Sequence, residues 1–267
     1  MSGAEDIARY ERERAKLERD GLYRADQERD ACGVGLVAAI DGRPRRDVVT
    51  LAISALKAVW HRGAVDADGK TGDGAGILID APRDFFAEQV SRTGHAVKGG
   101  PIFVGQIFLP RLDLGAQERA RVIVESEIIR AGFVLYGWRQ VPVNISQIGE
   151  KANATRPEIE QVLMHDPQGR PAEIVDRDLY ICRRRIERRA LADNITELYV
   201  CSLSAKRLVY KGMFLAAQID TFYPDLRDDR FVSSVAIYHQ RYSTNTFPQW
   251  RLAQPFREAV DGDHALG

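Results

Sequence analysis

The sharpest boundary in this 267-residue chain falls between Ala31 and Cys32. Before it, residues 1–31 are polar and crowded with charge. After it, Cys32-Gly33-Val34-Gly35-Leu36-Val37-Ala38-Ala39-Ile40 is Gly-rich and then apolar, at strand length. Such a run asks for a buried strand, with a cysteine at its head. Unpaired cysteine is among the most buried residue types, so a small hydrophobe in a core is one reading of Cys32. A nucleophile held at the end of a strand is the other. If the chain were cut between Ala31 and Cys32, the thiol would sit beside its own free amine. An α-amino group titrates near pH ~8 and can take the thiol proton, so one residue would supply both nucleophile and base.

Composition narrows the partners. Lys+Arg and Asp+Glu stand at 38 each, so no bulk field recommends nucleic acid or an anionic membrane. Cys32, Cys182 and Cys201 form no CxxC pair and no zinc-type spacing with the five histidines, so no metal site is expected. A sparse, odd cysteine count fits a reducing compartment. The sequence has neither an N-terminal apolar h-region nor about 18 consecutive apolar residues, so the protein reads as cytoplasmic.

Along the chain, residues 4–20 read as a solvated helix or a disordered pro-segment, with a Glu5/Arg9 pair and Gly21 as a stop. After the Cys32–Ile40 strand, Asp47 is placed to cap a helix carrying Val48, Leu51, Ala52, Ala55, Leu56 and Val59. A polar Gly-rich loop runs from His61 to Gly74, and a strand follows over Ala75–Ile79. Further expectations are a short helix over Asp84–Val90, a strand over Pro101–Pro110, and a helix over Gln117–Arg130 with Val122, Ile123, Ile128 and Ile129 as its apolar side. Phe133–Trp138, Glu158–His165 and Leu179–Cys182 read as strands, and Arg183–Ala192 as a charged helix with a solvated face. Tyr199–Ser204, Arg207–Tyr210 and Phe231–His239 complete a strand-rich second half. Alternation of this kind suggests one continuous α/β or α+β layered domain.

Two polar stretches stand out. His61–Thr71 mimics a phosphate-binding P-loop, but five residues separate Gly63 from Gly69 where that motif needs four, and it follows a helix instead of a strand. The nucleotide reading is rejected; what remains is a loop whose glycines allow close approach to a strand or a ligand. The second stretch, Tyr238–Thr246, offers Arg241 to grip a carboxylate with two parallel hydrogen bonds, and Ser243 and Thr244 as hydroxyl donors. A structural salt bridge would explain Arg241 equally well.

Together, Asp30–Gly35, the His61–Gly76 loop and Gln240–Phe256 resemble the amidotransferase domain of the glutamate synthase large subunit. Gly137–Pro142, Arg156–Val162 and Leu208–Met213 agree, and the likeness covers about residues 21–257. The resemblance implies an α+β fold: the N-terminal-nucleophile hydrolase four-layer αββα sandwich, two stacked sheets between helical layers, here incomplete at the C-terminus. It implies a pro-segment over residues 1–31, a partial type 2 amidotransferase domain over 32–257 and a divergent tail over 258–267. Cys32 looks like the nucleophile, its freed amine the base, and Arg241 the residue holding the α-carboxylate of glutamine, with Ser243, Thr244, Arg62 and Gly63 lining the substrate.

The implied reaction is hydrolysis of glutamine to glutamate and ammonia through a Cys32 thioester. In the parent enzyme, the ammonia passes to a flavin site where 2-oxoglutarate becomes a second glutamate. FMN, an iron–sulfur cluster, the remaining synthase domains and a small electron-delivering subunit belong to that parent; no cofactor is expected in this chain. One departure matters. The family's His-Asn-Gly-Glu motif, which supplies the oxyanion hole, should fall near Asp261–Asp263, where no Asn stands. Losing one oxyanion donor typically costs about 10²–10³ in rate. An inactive fragment, or a module that binds glutamine or docks a partner, is therefore the alternative expectation.

Overall fold

The computed structural model describes residues 11–13, 15–16, 18–21, 32–241 and 247–255. The chain divides into two compact units, Met1–Ala31 and Cys32–Gly267. In the first, the described residues between 11 and 20 are helical and exposed, as a run of charge with few apolar positions dictates. The Glu5/Arg9 pair lies outside the described residues.

The second unit opens with β1 (Gly33–Ala38) and α1 (Arg46–Ala58), followed by β2 (Thr71–Asp80), α2 (Arg83–Arg92), β3 (Phe103–Leu109) and α3 (Leu114–Arg130). Next come β4 (Val134–Gln140), α4 (Glu150–Ala154), β5 (Glu158–His165), α5 (Ala172–Ala192), β6 (Tyr199–Ser204), β7 (Arg207–Phe214), α6 (Ile219–Phe222) and β8 (Val235–Gln240). The strands form two antiparallel sheets, ordered β1-β8-β2-β7 and β4-β5-β3-β6. The fold class is α+β.

Period-two alternation divides the apolar residues of the second sheet between two cores. Val104, Phe108, Ile159 and Leu163 join a core with Ala75, Ile77 and Tyr210 of the first sheet. Phe103, Ile107, Leu109, Val162 and Met164 join another with Ile123, Val124 and Ile128 of α3 and Leu179 and Ile186 of α5. Strands β3 and β5 are thus buried on both faces, and β3 reads accordingly as a near-continuous apolar run. On the inter-sheet side, Gln106 and Gln161 make their own polar bridge. Gln161 Nε2 donates to Gln106 Oε1 (2.7 Å) and to Tyr210 Oη (2.9 Å), and Tyr210 donates to Asp225 Oδ2 (2.8 Å). Arg139 closes the network through both carboxylate oxygens of Asp225, at 2.8 and 2.6 Å.

Several sequence expectations are corrected. Leu179–Cys182 is not a strand: it lies within the single helix α5, whose buried Val175, Leu179, Cys182, Ile186 and Ala190 recur at helical spacing. The four consecutive apolar residues misled because Tyr180 and Ile181 are the exposed ones. Arg183 is not part of a solvated face; it is buried, with its guanidinium over the Tyr180 ring. In α3 the buried side is Ala120, Ile123, Val124, Glu127 and Ile128, while Val122 and Ile129 are exposed. Asp47 does not cap α1 but lies in its first turn, after Arg45 at the N-cap, and Leu51 is exposed. Finally, β2 begins at Thr71, so Gly72, Asp73 and Gly74 belong to a strand and not to the loop.

Candidate active site

The order of the first sheet brings three strand ends together. Gly33 of β1 pairs with Gln240 of β8, and Gln240 pairs on its other side with Ala75 of β2. Cys32, one residue before β1, therefore lies at the same sheet end as Arg241, one residue after β8, and Gly74 near the start of β2. Strand β8 carries the register: slipping it by one residue would turn its own side chains, Gln240 among them, to the other face.

Helix α1 packs on β1 and β8 through Val48, Val49, Ala52, Ile53 and Leu56. A 3-10 turn, Trp60–Arg62, follows it and brings the chain back to the strand ends. Here glycine is required by contact. A Cβ on Gly33 would come within 2.9 Å of Val59 Cγ2 and 3.3 Å of Arg62 Cβ, and one on Gly63 would collide with the Gln240 amide. Arg62 thus lies beside the residue that follows Cys32, and Gly63 lets Gln240 in. Cys32 itself is half-buried.

The rest of the loop folds on itself as a small antiparallel turn, with a Val65–Gly72 bridge and Gly69 in the left-handed region (φ 70°). Asp68 accepts the Lys70 N–H (2.9 Å), the Thr71 N–H (2.7 Å) and the Thr71 hydroxyl (2.6 Å). These bonds, the Thr71 hydroxyl first, lower its pKa to about 2. The loop amides that a P-loop would aim at phosphate are spent on this carboxylate.

Two residues absent from the sequence-based set sit in the middle of the site. Asp73 is buried, and burial raises its pKa, against the opposing effects of the Ala64 N–H and the Arg241 guanidinium. Its Oδ2 lies 3.7 Å from Arg241 Nε. Gln240, 1% exposed, donates from Nε2 to Gly74 O at 3.2 Å. Arg241 has φ 103°, a left-handed backbone that costs a non-Gly residue on the order of 1–3 kcal/mol. It is pinned on both sides: its N–H donates to Gly74 O (2.7 Å), and its carbonyl accepts from His239 Nδ1 (3.1 Å). His239 is buried, and burial pushes its pKa down to about 4, so the imidazole is neutral at pH 7.

The geometry therefore assembles Cys32, Arg62, Gly63 and Arg241 at one sheet end. Ser243, Thr244 and Asp261–Asp263 lie outside the described residues. Asp73 was missed because Thr71-Gly72-Asp73-Gly74 reads as turn; the available signal was an acidic residue between two glycines ahead of an apolar strand. A groove of about 770 Å³, lined in part by Arg111, Arg156, Leu191, Tyr199 and Trp250, contains none of these site residues. Among the described residues no group of three or more His, Cys, Asp or Glu could hold a metal ion, and no helix is long and apolar enough to cross a membrane.

Comparison with known proteins agrees with the motifs. The chain is similar to the glutamate synthase [NADPH] large chain of Azospirillum brasilense, 58% identical over 255 residues that make up 96% of this chain and 17% of that protein. It is 43% identical over 235 residues to ferredoxin-dependent glutamate synthase 1, chloroplastic/mitochondrial, of Arabidopsis thaliana, covering 86% of this chain and 14% of the relative. The glutamate synthase [NADPH] large chain of Bacillus subtilis is 37% identical over 247 residues, 90% of this chain and 16% of the relative. The chain thus spans about a sixth of the length of these relatives. Residues 32–262 match the profile described as glutamine amidotransferases class-II, and the chain belongs to that family.

Proposed function

We propose that this chain supplies the glutaminase step of a glutamate synthase, releasing ammonia from glutamine for glutamate biosynthesis. The observation that carries the reading is the convergence of Cys32, the Arg62-Gly63 turn and Arg241 on the end of β8. Arg241 receives the α-carboxylate of glutamine on its guanidinium, with Ser243 and Thr244 adding hydroxyl donors. The Cys32 thiol, half-buried and one residue before Gly33, attacks the side-chain amide carbon. In this scheme residues 1–31 are removed, and the freed α-amine of Cys32 takes the thiol proton and returns it to the leaving nitrogen. Ammonia departs, and water then hydrolyses the thioester to glutamate.

The architecture that fits this chemistry is the N-terminal-nucleophile hydrolase four-layer αββα sandwich, supported by α1 against the first sheet and α3 and α5 against the second. FMN, an iron–sulfur cluster and an electron-delivering subunit belong, in this reading, to the portions of a glutamate synthase beyond this stretch. A second reading, binding without turnover, draws on Asp261–Asp263 standing where the oxyanion Asn is expected.

The test is ammonia release from glutamine, with intact-mass measurement of the same sample. Turnover that vanishes in Cys32→Ser, in protein whose mass begins at Cys32, supports the enzyme reading. Saturable glutamine binding with no ammonia supports the second. Equal turnover in Cys32→Ser refutes the enzyme reading.

A further inference from the structure

The end of the second sheet carries two arginines that the chemistry above does not use. Strand β3 pairs with β5 in a register that sets Leu109 opposite Glu158. Continued past that pair, the same register sets Pro110 opposite Pro157 and Arg111 opposite Arg156. Proline has no N–H to give to a ladder, so the sheet stops there and the two arginines meet just beyond its end. Arg111 Nε donates to the Arg156 carbonyl at 2.8 Å, and its Nη2 donates to the Asn153 and Ala154 carbonyls at 3.1 and 3.2 Å. Arg111 thereby closes the C-terminal end of α4.

Arg156 has no such use. Its Nε reaches Asn153 Oδ1 and its Nη1 the Pro157 carbonyl, both at 3.3 Å, while Nη2 makes no hydrogen bond among the described residues. Neither arginine forms a salt bridge among the described residues. The carboxylates beside them in the chain are engaged elsewhere: Glu158 accepts from the Gln140 amide (2.6 Å), and Asp113 caps α3 (2.9 Å). Arg121, Arg139 and Arg170 are also withdrawn from water, but each faces a carboxylate, on Glu160, Asp225 and Asp166. A half-buried guanidinium without one carries an uncompensated desolvation cost. Burial first, and the Arg111 charge second, push the Arg156 pKa down.

Both arginines line the groove of about 770 Å³. Phe108 lines it too, with the Tyr199 and Trp250 rings each 6.1 Å from its own. Leu112 and Leu191 are 80% and 75% exposed, so apolar side chains stand open to whatever enters. Two carboxylates share the lining. Glu187 is paired with Arg183 and Arg184, at 3.3 and 2.7 Å, and Glu197 is exposed and pairs with neither Arg111 nor Arg156. Uncompensated positive charge beside apolar and aromatic surface selects a ligand that is anionic at one end and apolar at the other.

We propose that this groove is a binding site for a small organic anion, with an oxyanion head, carboxylate or phosphate, on Arg156 beside Arg111 and an apolar body against Leu112, Leu191 and Trp250. None of its lining residues belongs to the Cys32 end of the first sheet, so the inference does not rest on the glutaminase reading.

The test titrates the full chain with hydrocinnamate, phenethyl phosphate and phenylpropanol, followed by calorimetry. The three share a phenylethyl body and differ in the head: carboxylate, phosphate and neutral hydroxyl. At least one anion should bind saturably and about tenfold or more tighter than the alcohol. Tighter hydrocinnamate makes the ligand an organic acid, and tighter phenethyl phosphate makes it an organic phosphate. Arg156→Gln is expected to weaken the anion about tenfold and leave the alcohol unchanged. Leu191→Gln, at an exposed position of α5 that the fold does not need, should weaken anion and alcohol alike, about three- to tenfold.

No saturable binding of either anion up to about 10 mM overturns the proposal, as does equal binding of anion and alcohol. A native anion constant in folded Arg156→Gln overturns it too. Should Arg156→Gln fail to fold, Leu191→Gln decides, because a native anion constant there places the anion outside the groove. Saturating glutamine should leave every constant unchanged, and displacement of the anion by glutamine would put it at the Cys32 end and refute the site.

Discussion

Acidifying the protein should loosen the site before it unfolds the cores, and His239 sets the pH window. Its imidazole is buried, donates Nδ1–H to the Arg241 carbonyl at 3.1 Å, and has its pKa pushed from 6.5 to about 4 by burial. The fold holds the neutral form, so the stabilisation is whole above pH 6.5 and is lost as pH falls toward 4. For one such group, the loss between pH 7.5 and pH 5 is about 2 kcal/mol, and it approaches ~3 kcal/mol below pH 4. Asp73 acts in the opposite sense, because burial raises its carboxyl pKa and acidification relieves that cost. A direct pH titration therefore mixes the two. His239→Asn separates them: the amide N–H takes over the donation to Arg241, nothing titrates, and Asp73 is untouched. Urea unfolding at half-unit steps from pH 7.5 to 5 should show the native protein losing about 2 kcal/mol more than the variant over that range. Parallel curves for the two would refute the reasoning.

Three further outcomes follow from the packing. Gly63→Ala drives a methyl into the Gln240 side chain and should cost about 1–3 kcal/mol in urea unfolding; an unchanged midpoint would mean that Gln240 moves aside freely. Asp225→Ala leaves the Arg139 guanidinium buried without its carboxylate and should cost about 3–5 kcal/mol, read by the same assay, with less than 1 kcal/mol indicating that water enters the network. Burial pushes the Cys182 thiol up to about 12, so native protein treated with iodoacetamide at pH 8 should be modified at Cys32 and not at Cys182 until denaturant is added. Peptide mapping of the alkylated chain distinguishes these cases.

What the sequence made legible, and what it hid, divides along physical lines. β1 and β3 were readable because an apolar run bounded by turn residues has few alternatives, and their observed bounds fall within those runs, while β5 and β6 keep the expected bounds although polar residues interrupt them. The Leu179–Cys182 stretch failed because four consecutive apolar residues fit either period; only the wider stripe from Val175 to Ala190 decides for a helix. Cys32, Arg62, Gly63 and Arg241 could be named from residue type and motif. Their convergence could not, since it depends on β8 entering the sheet between β1 and β2, more than 150 residues from either. Asp73 stayed hidden for a related reason. Glycines on both sides made its strand look like loop, and the ion partner that explains a buried carboxylate arrives only with β8.

That late-arriving strand also explains why the site tolerates a strained residue. Arg241 must leave β8 with a left-handed backbone, a conformation that no local preference supplies. Its two backbone hydrogen bonds come from different sources: Gly74 belongs to the neighbouring strand, and His239 to its own. The first exists only when β2 and β8 are in register. The second is a donation from His239 Nδ1–H, which the imidazole makes in either protonation state, and burial keeps that imidazole neutral. The direction of the arginine backbone is therefore coupled to pairing in the sheet and to the placement of a buried histidine. The Cys32 end of β1 is fixed by pairing with the same strand. A substitution that weakened β8 pairing, even at a residue far from this sheet end, should disturb the placement of Cys32 and Arg241 together.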